Sequence, residues 1–325
     1  MSINRQVSIA PMLECTDRHD RFFLRLISAN VLLYTEMLTT KALIHGDYER
    51  LLAFHSLEHP LALQLGGSIP EELATCAQLG EACGYDEINL NVGCPSPRVQ
   101  SGQFGACLML QPELVADCVS AMVEKVKIPV TIKCRIGVDD QDSYASLSIF
   151  IDKIAARGCD VFIIHARKAW LKGLSPKQNR EIPPLRYDIV QQIKKDFPHL
   201  TIILNGGLKT LAEIDHQLPW VDGVMIGREA YTNPYFLAEI EKKYFSHLSL
   251  PREKIIENFI PYIELQLKNN IKLSSITRHI LGLFHATPGA RKWRRTLSEK
   301  KANSYENTDI IQEALNYVRC IDKDS

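Results

Sequence analysis

Hydrophobic residues recur along the chain in short runs of about five positions, and most runs end in polar residues or glycine. The runs are rich in residues that favour β-strands and are bounded by turn-forming residues. Eight of them are predicted strands: 7–10, 31–35, 61–65, 87–91, 130–134, 161–165, 201–205 and 223–227.

Helical patterns lie between most of these runs. Residues 70–83 begin with Pro70 and stop at Gly84, and residues 112–126 also begin with a proline. Proline at an early helical position and glycine after the last one are typical helix boundaries. Strands alternating with helices predict a parallel sheet. Eight such units in about 230 residues fit a closed (β/α)8 TIM barrel.

The strand pattern stops after Tyr235, and from about residue 244 onward only helical periodicity remains. A chain of 325 residues exceeds the usual size of one compact core. We therefore predict a barrel domain over residues 1–243 and an all-helical domain over residues 244–325.

Charge and cysteine usage narrow the function classes. The chain has 38 basic and 38 acidic residues, so any attraction to nucleic acid must come from a local surface. Its nine cysteines form no CxxC pair or metal-site spacing, so neither a zinc site nor a disulfide framework is predicted. No signal peptide and no apolar run long enough to cross a membrane occur, and a reducing cytoplasm is the expected location.

Polar residues interrupt the predicted strands at or near their carboxyl ends. In a barrel these ends meet at one mouth, where active sites lie. The residues are Gln64, Asn91, Lys133, His165, Asn205 and the pair Gly227-Arg228. Two long connections, 94–109 and 167–185, also follow strand ends, so the sequence predicts one functional site at the mouth.

Cys94 lies between Gly93 and Pro95, directly after the predicted strand 87–91. Pro95 has no backbone N–H and a fixed φ, so the strand cannot continue past it. The thiol is therefore presented at the mouth of the barrel, close to the amide of Asn91. Cys94 is a candidate catalytic group, with a turn cysteine that performs no chemistry as the alternative.

Three further features of the mouth bear on which ligand it binds. Asn205-Gly206-Gly207 and Gly227-Arg228 follow the last two strands, where barrels usually bind phosphate. Lys133 interrupts an apolar run, which is costly unless it meets an anion or reaches solvent. His165 is either a ligand contact or a core histidine. No GxGxxG, P-loop, HExxH or GxSxG motif supports another enzyme class.

Several segments resemble the tRNA-dihydrouridine synthases in register over nearly the whole chain. They are Ala10-Pro11-Met12, Leu90 through Pro97, Ile132 through Arg135, Ile164 through Arg167, Asn205-Gly206-Gly207 and Gly227-Arg228. Segments 35–40, 173–180 and 289–295 resemble the A subfamily. One departure is Cys15, which stands where that subfamily usually has an aromatic residue, so this loop is expected to pack differently.

The resemblance implies an enzyme that reduces the C5=C6 bond of uridine in tRNA with bound FMN and with NADPH as reductant. The isoalloxazine ring would lie against Pro11 and Met12, with Gln64 and Lys133 at its polar edge. Its phosphate end would be held by His165, Asn205, Gly206, Gly207, Gly227 and Arg228. Hydride addition at C6 leaves an enolate that needs a proton at C5. Thiols with the ordinary pKa of about 8.5 are mostly protonated at neutral pH, and Cys94 would be the donor.

The resemblance also implies that tRNA contacts both predicted domains. Asn91 and Arg98 would touch the tRNA, and Lys177, Arg180, Arg291 and Arg294 match positions that orient it. The segment 291–301 contains six basic residues and one acidic residue, which suits phosphates, and Trp293 within it could stack on a base. The A subfamily points to positions 20 and 20a of the D-loop. A monomer without metal is expected.

Two other readings remain open from the residues. One is a flavin oxidoreductase of the dihydroorotate type, acting on a free pyrimidine on the same barrel; the basic helical domain argues against it. The other is a non-catalytic RNA-binding protein on a degenerate barrel, against which Cys94, Lys133 and both phosphate loops argue.

Overall fold

The computed structural model describes residues 3–298 and 308–319. Its strands are β1 (Val7–Ile9), β2 (Leu33–Tyr34), β3 (Leu38–Thr39), β4 (Leu61–Gly66), β5 (Glu87–Val92), β6 (Val130–Arg135), β7 (Val161–His165), β8 (Thr201–Asn205) and β9 (Gly223–Ile226). Its α-helices are α1 (Arg18–Ile27), α2 (Thr40–His45), α3 (Tyr48–Leu51), α4 (Pro70–Cys83), α5 (Pro97–Ser101), α6 (Pro112–Val123), α7 (Tyr144–Ala155), α8 (Tyr187–Asp196), α9 (Leu211–Gln217), α10 (Arg228–Thr232), α11 (Phe236–Tyr244), α12 (Arg252–Lys268), α13 (Leu273–Thr277), α14 (Ala290–Ser298) and α15 (Asp309–Arg319). Short 3-10 helices cover Ser56–Glu58, Gly105–Leu110, Gln178–Arg180 and Leu218–Trp220.

The strands form one parallel sheet in the order β1-β9-β8-β7-β6-β5-β4-β2. A bridge between Ser8 and Leu32 joins the two ends of this order, and the amide N–H of Ile9 donates to the carbonyl of Leu32 at 2.9 Å. The predicted eight-stranded barrel is therefore confirmed. The two-residue strand β3, which pairs with β4, was not predicted.

The two faces of the strands carry different residues because side chains alternate along a strand. On one face, Leu63 of β4 and Ile88 of β5 pack against Gly80 of α4, where an added methyl group would lie 2.6 and 2.8 Å from their side chains. On the other face, Ala62, Ile163, Ile203 and Met225 belong to one buried apolar cluster. This second face is the barrel interior.

Contacts divide the chain into two compact units. The first contains the described residues up to Glu14 together with Val31–Gly227, and the second contains Cys15–Asn30 and the described residues from Arg228 onward. In the second unit, Phe22 of α1 stacks on Tyr262 of α12 with ring centroids 4.0 Å apart. The boundary between a barrel domain and a helical domain at residues 243 and 244 stays a prediction.

Candidate active site at the mouth of the barrel

Strand register brings the predicted polar residues to one side of the barrel wall. Asn91 pairs with Lys133 across β5 and β6, Arg135 pairs with His165 across β6 and β7, and His165 pairs with Asn205 across β7 and β8. Residues paired in a parallel sheet point to the same face. The side chains predicted from strand ends therefore share the interior face at the carboxyl end of the barrel.

The backbone of Cys94 is held on both sides. The side-chain oxygen of Asn91 accepts the backbone N–H groups of Gly93 and Cys94, at 3.1 and 3.0 Å. The carbonyl of Cys94 accepts the N–H of Ala106 at 2.9 Å. Gly105, in the left-handed region at φ 74°, allows this approach, because an added Cβ would lie 2.6 Å from the Cys94 carbonyl oxygen. The half-buried thiol is therefore presented by a loop with a defined backbone.

Arg135 ties three loops of the mouth together. Its Nε donates to the carbonyl of Gly93 at 2.8 Å, and its Nη1 donates to the carbonyls of Lys168 and Asn179, both at 3.1 Å. The side chain is buried, and burial lowers the pKa of its guanidinium to about 10. Since Gly93 precedes Cys94, this one cation links the cysteine loop to the connection after β7.

Asn179 organises that connection from the inside. Its side chain is fully buried, accepts the N–H of Trp170 at 2.8 Å, and donates to the carbonyls of Trp170 and Leu174 at 2.9 and 3.2 Å. The neighbouring Lys177 and Arg180 are exposed. The sequence therefore places one buried anchor between two exposed basic side chains.

Lys133 is a half-buried cation at the mouth. Its Nζ donates to the side-chain oxygen of Asn205 at 3.0 Å, and no carboxylate within the described part of the chain forms an ion pair with it. Burial, followed by repulsion from Arg135, lowers the pKa of Lys133 to about 8. A cation in this position favours an anionic or electron-rich ligand.

His165 faces the glycines that follow β8. Burial, followed by the charges of Arg135 and Lys133, lowers the pKa of His165 well below its usual value, so the imidazole is neutral at neutral pH. Gly206 has φ 117°, and an added Cβ would lie 2.7 Å from the His165 ring. Glycine at this position therefore lets the backbone after β8 lie directly against the ring.

The other predicted site residues are distributed as follows. Pro11 and Met12 are half-buried directly after β1, Gly207 is exposed after β8, and Gly227 is half-buried after β9. Arg98 is exposed on α5, and Arg228 is exposed as the first residue of α10. Arg291 and Arg294 are exposed on α14, while residues 299–301 of the basic segment lie outside the described residues. The roles predicted for these side chains stay predictions.

Trp293 is a correction to the sequence analysis. It is fully buried, its indole N–H donates to the carbonyl of Ile280 at 3.1 Å, and its ring packs edge-on against Phe284. The prediction that Trp293 stacks on a base was wrong, because this residue belongs to the apolar face of α14.

The sequence did not reveal the residues that hydrogen-bond to the loops of the site and keep those loops in place. Arg135 was part of a recognised segment but received no role, and Asn179 was not singled out. A charged residue on an interior strand position next to Lys133 was the available signal for Arg135. For Asn179 the sequence contains no comparable signal, since its partners are backbone groups of its own loop.

Within residues 3–298 and 308–319, no group of three or more His, Cys, Asp or Glu side chains could hold a metal ion. In the same part of the chain, no helix has the length and apolar character needed to cross a membrane. The expected location in the cytoplasm stays a prediction.

Comparison with known proteins decides the family. The family model described as dihydrouridine synthase (Dus) matches residues 8–318. The chain belongs to the dihydrouridine synthase family. The resemblance stated from the sequence is therefore confirmed, and with it the enzyme class.

Relatives similar over almost their whole length support the same assignment. A protein of Shewanella oneidensis is 56% identical over 98% of this chain and 95% of its own. A protein of Vibrio vulnificus is 57% identical over 97% of both chains, and one of Escherichia coli K12 is 57% identical over 96% of this chain and 91% of its own. All three are named tRNA-dihydrouridine(20/20a) synthase.

Two solved structures share the fold with this member of the family. A 2-naphthoyl-CoA reductase complex aligns with a TM-score of 0.57 at 10% identity, over 74% of this chain and 51% of its own. Morphinone reductase aligns with a TM-score of 0.53 at 13% identity, over 76% of this chain and 87% of its own. At these identities the comparison supports the barrel architecture alone.

Proposed function

We propose that this protein is a tRNA-dihydrouridine synthase that uses FMN and NADPH to reduce the C5=C6 bond of uridines in the D-loop, at positions 20 and 20a. The names of its relatives support the substrate and the positions. The observation that carries the proposal is the juxtaposition of Cys94, held by Asn91, and Lys133, the strand partner of Asn91.

The residues at the mouth fit FMN. Lys133 is a cation without a carboxylate partner among the described residues, and Gly206 lets the backbone after β8 lie directly against the neutral ring of His165. We infer that Pro11, Met12, Gln64 and Lys133 hold the ring system. His165, Asn205, Gly206, Gly207, Gly227 and Arg228 would then hold the phosphate end. When bound and reduced by NADPH, FMN supplies the hydride that is added to C6 of uridine.

The protein's own contribution is the proton. After hydride addition, the negative charge on the uracil is relieved when Cys94 donates its thiol proton to C5. Within the described residues, no side-chain base accepts a hydrogen bond from Sγ of Cys94. Lys133 would stabilise negative charge on the cofactor ring. We therefore place its ammonium group at the polar edge of the ring.

Uridine in folded tRNA is accessible only when the base leaves its stack. We infer that Asn91 and Arg98 contact the flipped nucleotide, and that Lys177, Arg180, Arg291 and Arg294 contact the tRNA backbone. Except for Asn91, which is buried, these side chains are exposed. Exposed cations suit phosphate contacts, which set affinity and orientation more than sequence.

The test of the proposed function has two parts. Protein purified without added cofactor should show the visible absorption bands of a flavin that is released as FMN on denaturation. With NADPH, it should form dihydrouridine in unmodified tRNA and leave free uracil unchanged. Turnover of free uracil without tRNA would favour the free-pyrimidine oxidoreductase, and a protein that neither binds FMN nor turns over tRNA would contradict the proposal.

The double variant Arg291→Glu/Arg294→Glu is expected to weaken tRNA binding by at least about tenfold near physiological salt, because each lost phosphate contact removes counterion release. The slope of log K against log salt should fall by about 1 for each contact. Filter-binding titrations with unmodified tRNA over a range of salt concentrations measure both quantities.

The matched control is Lys242→Glu/Lys268→Glu, which makes the same charge change at exposed positions of α11 and α12. If both double variants lose affinity equally, the effect comes from net charge and Arg291 and Arg294 have no special place in tRNA binding.

FMN affinity is expected to fall as the pH rises through about 8, the pKa of Lys133 in the free protein. The lysine is charged below this pH and neutral above it, so the cation that contacts the polar edge of the ring is lost at alkaline pH. The decrease should approach about tenfold per pH unit above the pKa. Quenching of FMN fluorescence between pH 6.5 and 9.5 measures it.

Lys133→Met is the control for this pH dependence. It should bind FMN weakly, with an affinity that changes little over the same range. A wild-type affinity that is as flat as that of Lys133→Met would show that the charge of Lys133 does not serve FMN binding.

A further inference from the structure

A chain of buried polar side chains runs through the barrel interior, and it begins at Glu87. This carboxylate accepts Nη2 of Arg5 at 2.6 Å and the hydroxyl groups of Tyr34 and Thr131, both at 2.7 Å. The hydroxyl of Thr131 in turn accepts the side-chain amide of Asn89 at 2.9 Å. The first residue of β5 is thereby linked to the next interior position of the same strand.

From Asn89 the chain continues through side-chain amides to the cysteine loop. The Oδ1 of Asn89 accepts Nε2 of Gln64 at 2.8 Å, and the Oε1 of Gln64 accepts Nδ2 of Asn91 at 2.9 Å. The Oδ1 of Asn91 accepts the backbone N–H groups of Gly93 and Cys94. Hydrogen bonds therefore connect Glu87 to the backbone of the proposed proton donor without interruption.

The two ends of the chain fix the direction of every amide between them. Backbone N–H groups at Gly93 and Cys94 only donate, and the carboxylate of Glu87 only accepts. An amide has nearly the same shape in both orientations, so its orientation is decided by its partners. Here each amide accepts through its oxygen on the side of the cysteine loop. Each amide donates through its nitrogen on the side of Glu87.

The orientation of each amide matters because the polar groups of this chain are buried. Glu87, Asn89 and Thr131 are fully buried, and Gln64 is 1% exposed. A reversed amide would leave a buried donor or acceptor without a partner, which is costly. The opposite interior wall is filled by apolar residues such as Ile163 and Ile203, so packing alone does not require polar groups here.

We propose that Asn89, anchored by Glu87 and Arg5, is a positioning residue that fixes the orientation of the Gln64 amide and, through Asn91, the loop that carries Cys94. This inference rests on the proposed function, in which Gln64 faces the polar edge of FMN. Asn89 acts only through its neighbours, because its side-chain hydrogen bonds go to Gln64 and Thr131.

The test replaces Asn89 with leucine, which branches at the same carbon and has no polar atom. Gln64 then keeps its hydrogen bond from Asn91, but its buried Nε2 loses its acceptor and is held less firmly. We expect FMN to bind at least about tenfold more weakly and the visible absorption bands of bound FMN to shift. Thr131→Val, which breaks the chain one link further from the mouth, should change both quantities in the same direction and by less.

Ile203→Val is the control for packing. Its side chain lies in the apolar interior cluster and makes none of these hydrogen bonds, so this variant should lose thermal stability while FMN affinity and absorption stay as in the wild type. An effect on the FMN spectrum that appears equally in Ile203→Val would assign the change to packing and overturn the inference.

The outcomes separate the inference from the proposed function. If the wild-type protein binds no FMN, the proposed function is overturned, and this inference falls with it. If the wild type binds FMN and Asn89→Leu has the same dissociation constant and spectrum, only the inference is overturned. Should Asn89→Leu fail to fold, Thr131→Val decides by the same two measurements, and an unchanged result overturns the inference.

Discussion

Cys94→Ala is expected to lose uridine reduction in tRNA while it keeps the reduction of bound FMN by NADPH. The rate of the tRNA-dependent half-reaction should fall by about 10²–10⁴-fold, the usual contribution of a positioned general acid. FMN binding and its reduction need no proton from this thiol. Rapid mixing of the reduced protein with tRNA, followed by flavin absorption, measures the half-reaction directly.

Cys107→Ala is the matched control. Cys107 is another half-buried cysteine of the first compact unit, and its Sγ lies 3.1 Å from the carbonyl of Phe104. This variant should keep both half-reactions. If tRNA oxidised the reduced flavin of Cys94→Ala as fast as that of the wild type, Cys94 would not be the proton donor.

Arg135→Met is expected to reduce kcat/KM for tRNA by about 100-fold or more. The substitution leaves the carbonyl groups of Gly93, Lys168 and Asn179 without the guanidinium that now serves all three. A hydrogen bond to a charged donor contributes about 1.5–3 kcal/mol, and about 1.4 kcal/mol corresponds to a tenfold change. Steady-state turnover with unmodified tRNA measures the loss.

Two further variants define the cause of this effect. Arg135→Lys keeps the charge but lacks the planar fork, so it should recover only part of the activity. Arg157→Met removes a half-exposed arginine that lies 3.9 Å from Asp117 on the surface, and it should retain wild-type kcat/KM. Activity of Arg135→Met within about twofold of the wild type would show that the loops keep their arrangement without the guanidinium.

The barrel could be predicted because its strands are short apolar runs with polar ends. Each of the eight observed strands that form the barrel order overlaps a predicted run. Strand β3 has only two residues, Leu38 and Thr39, and no apolar run marks it. Its pairing with β4 depends on the position of the chain after β2, which local sequence does not determine.

The candidate site could be predicted to the extent that its residues stand at strand ends. Lys133, His165 and Asn205 were found in this way, and strand register places them on one face. The partners that hold the site could not be found, because they are distant in sequence. Arg135 reaches the carbonyl of Gly93 across 42 positions, and Asn89 accepts from Gln64 across 25.

Trp293 shows how a local signal can mislead. An aromatic residue among arginines suggested a stacking surface, but Ala290, Trp293 and Leu297 are buried on one side of α14. Their spacing of three and four residues is the helical period, which indicated an apolar face. The basic residues Arg291 and Arg294 occupy the exposed side of the same helix.

This protein is expected to form dihydrouridine in the D-loop of tRNA through Cys94. The most direct test incubates the purified protein, FMN and NADPH with an unmodified tRNA transcript and maps dihydrouridine at single-nucleotide resolution. The wild type should modify positions 20 and 20a, and Cys94→Ala should leave both as uridine. A transcript without dihydrouridine after incubation with the FMN-loaded wild type, or with equal modification by both proteins, would contradict the account.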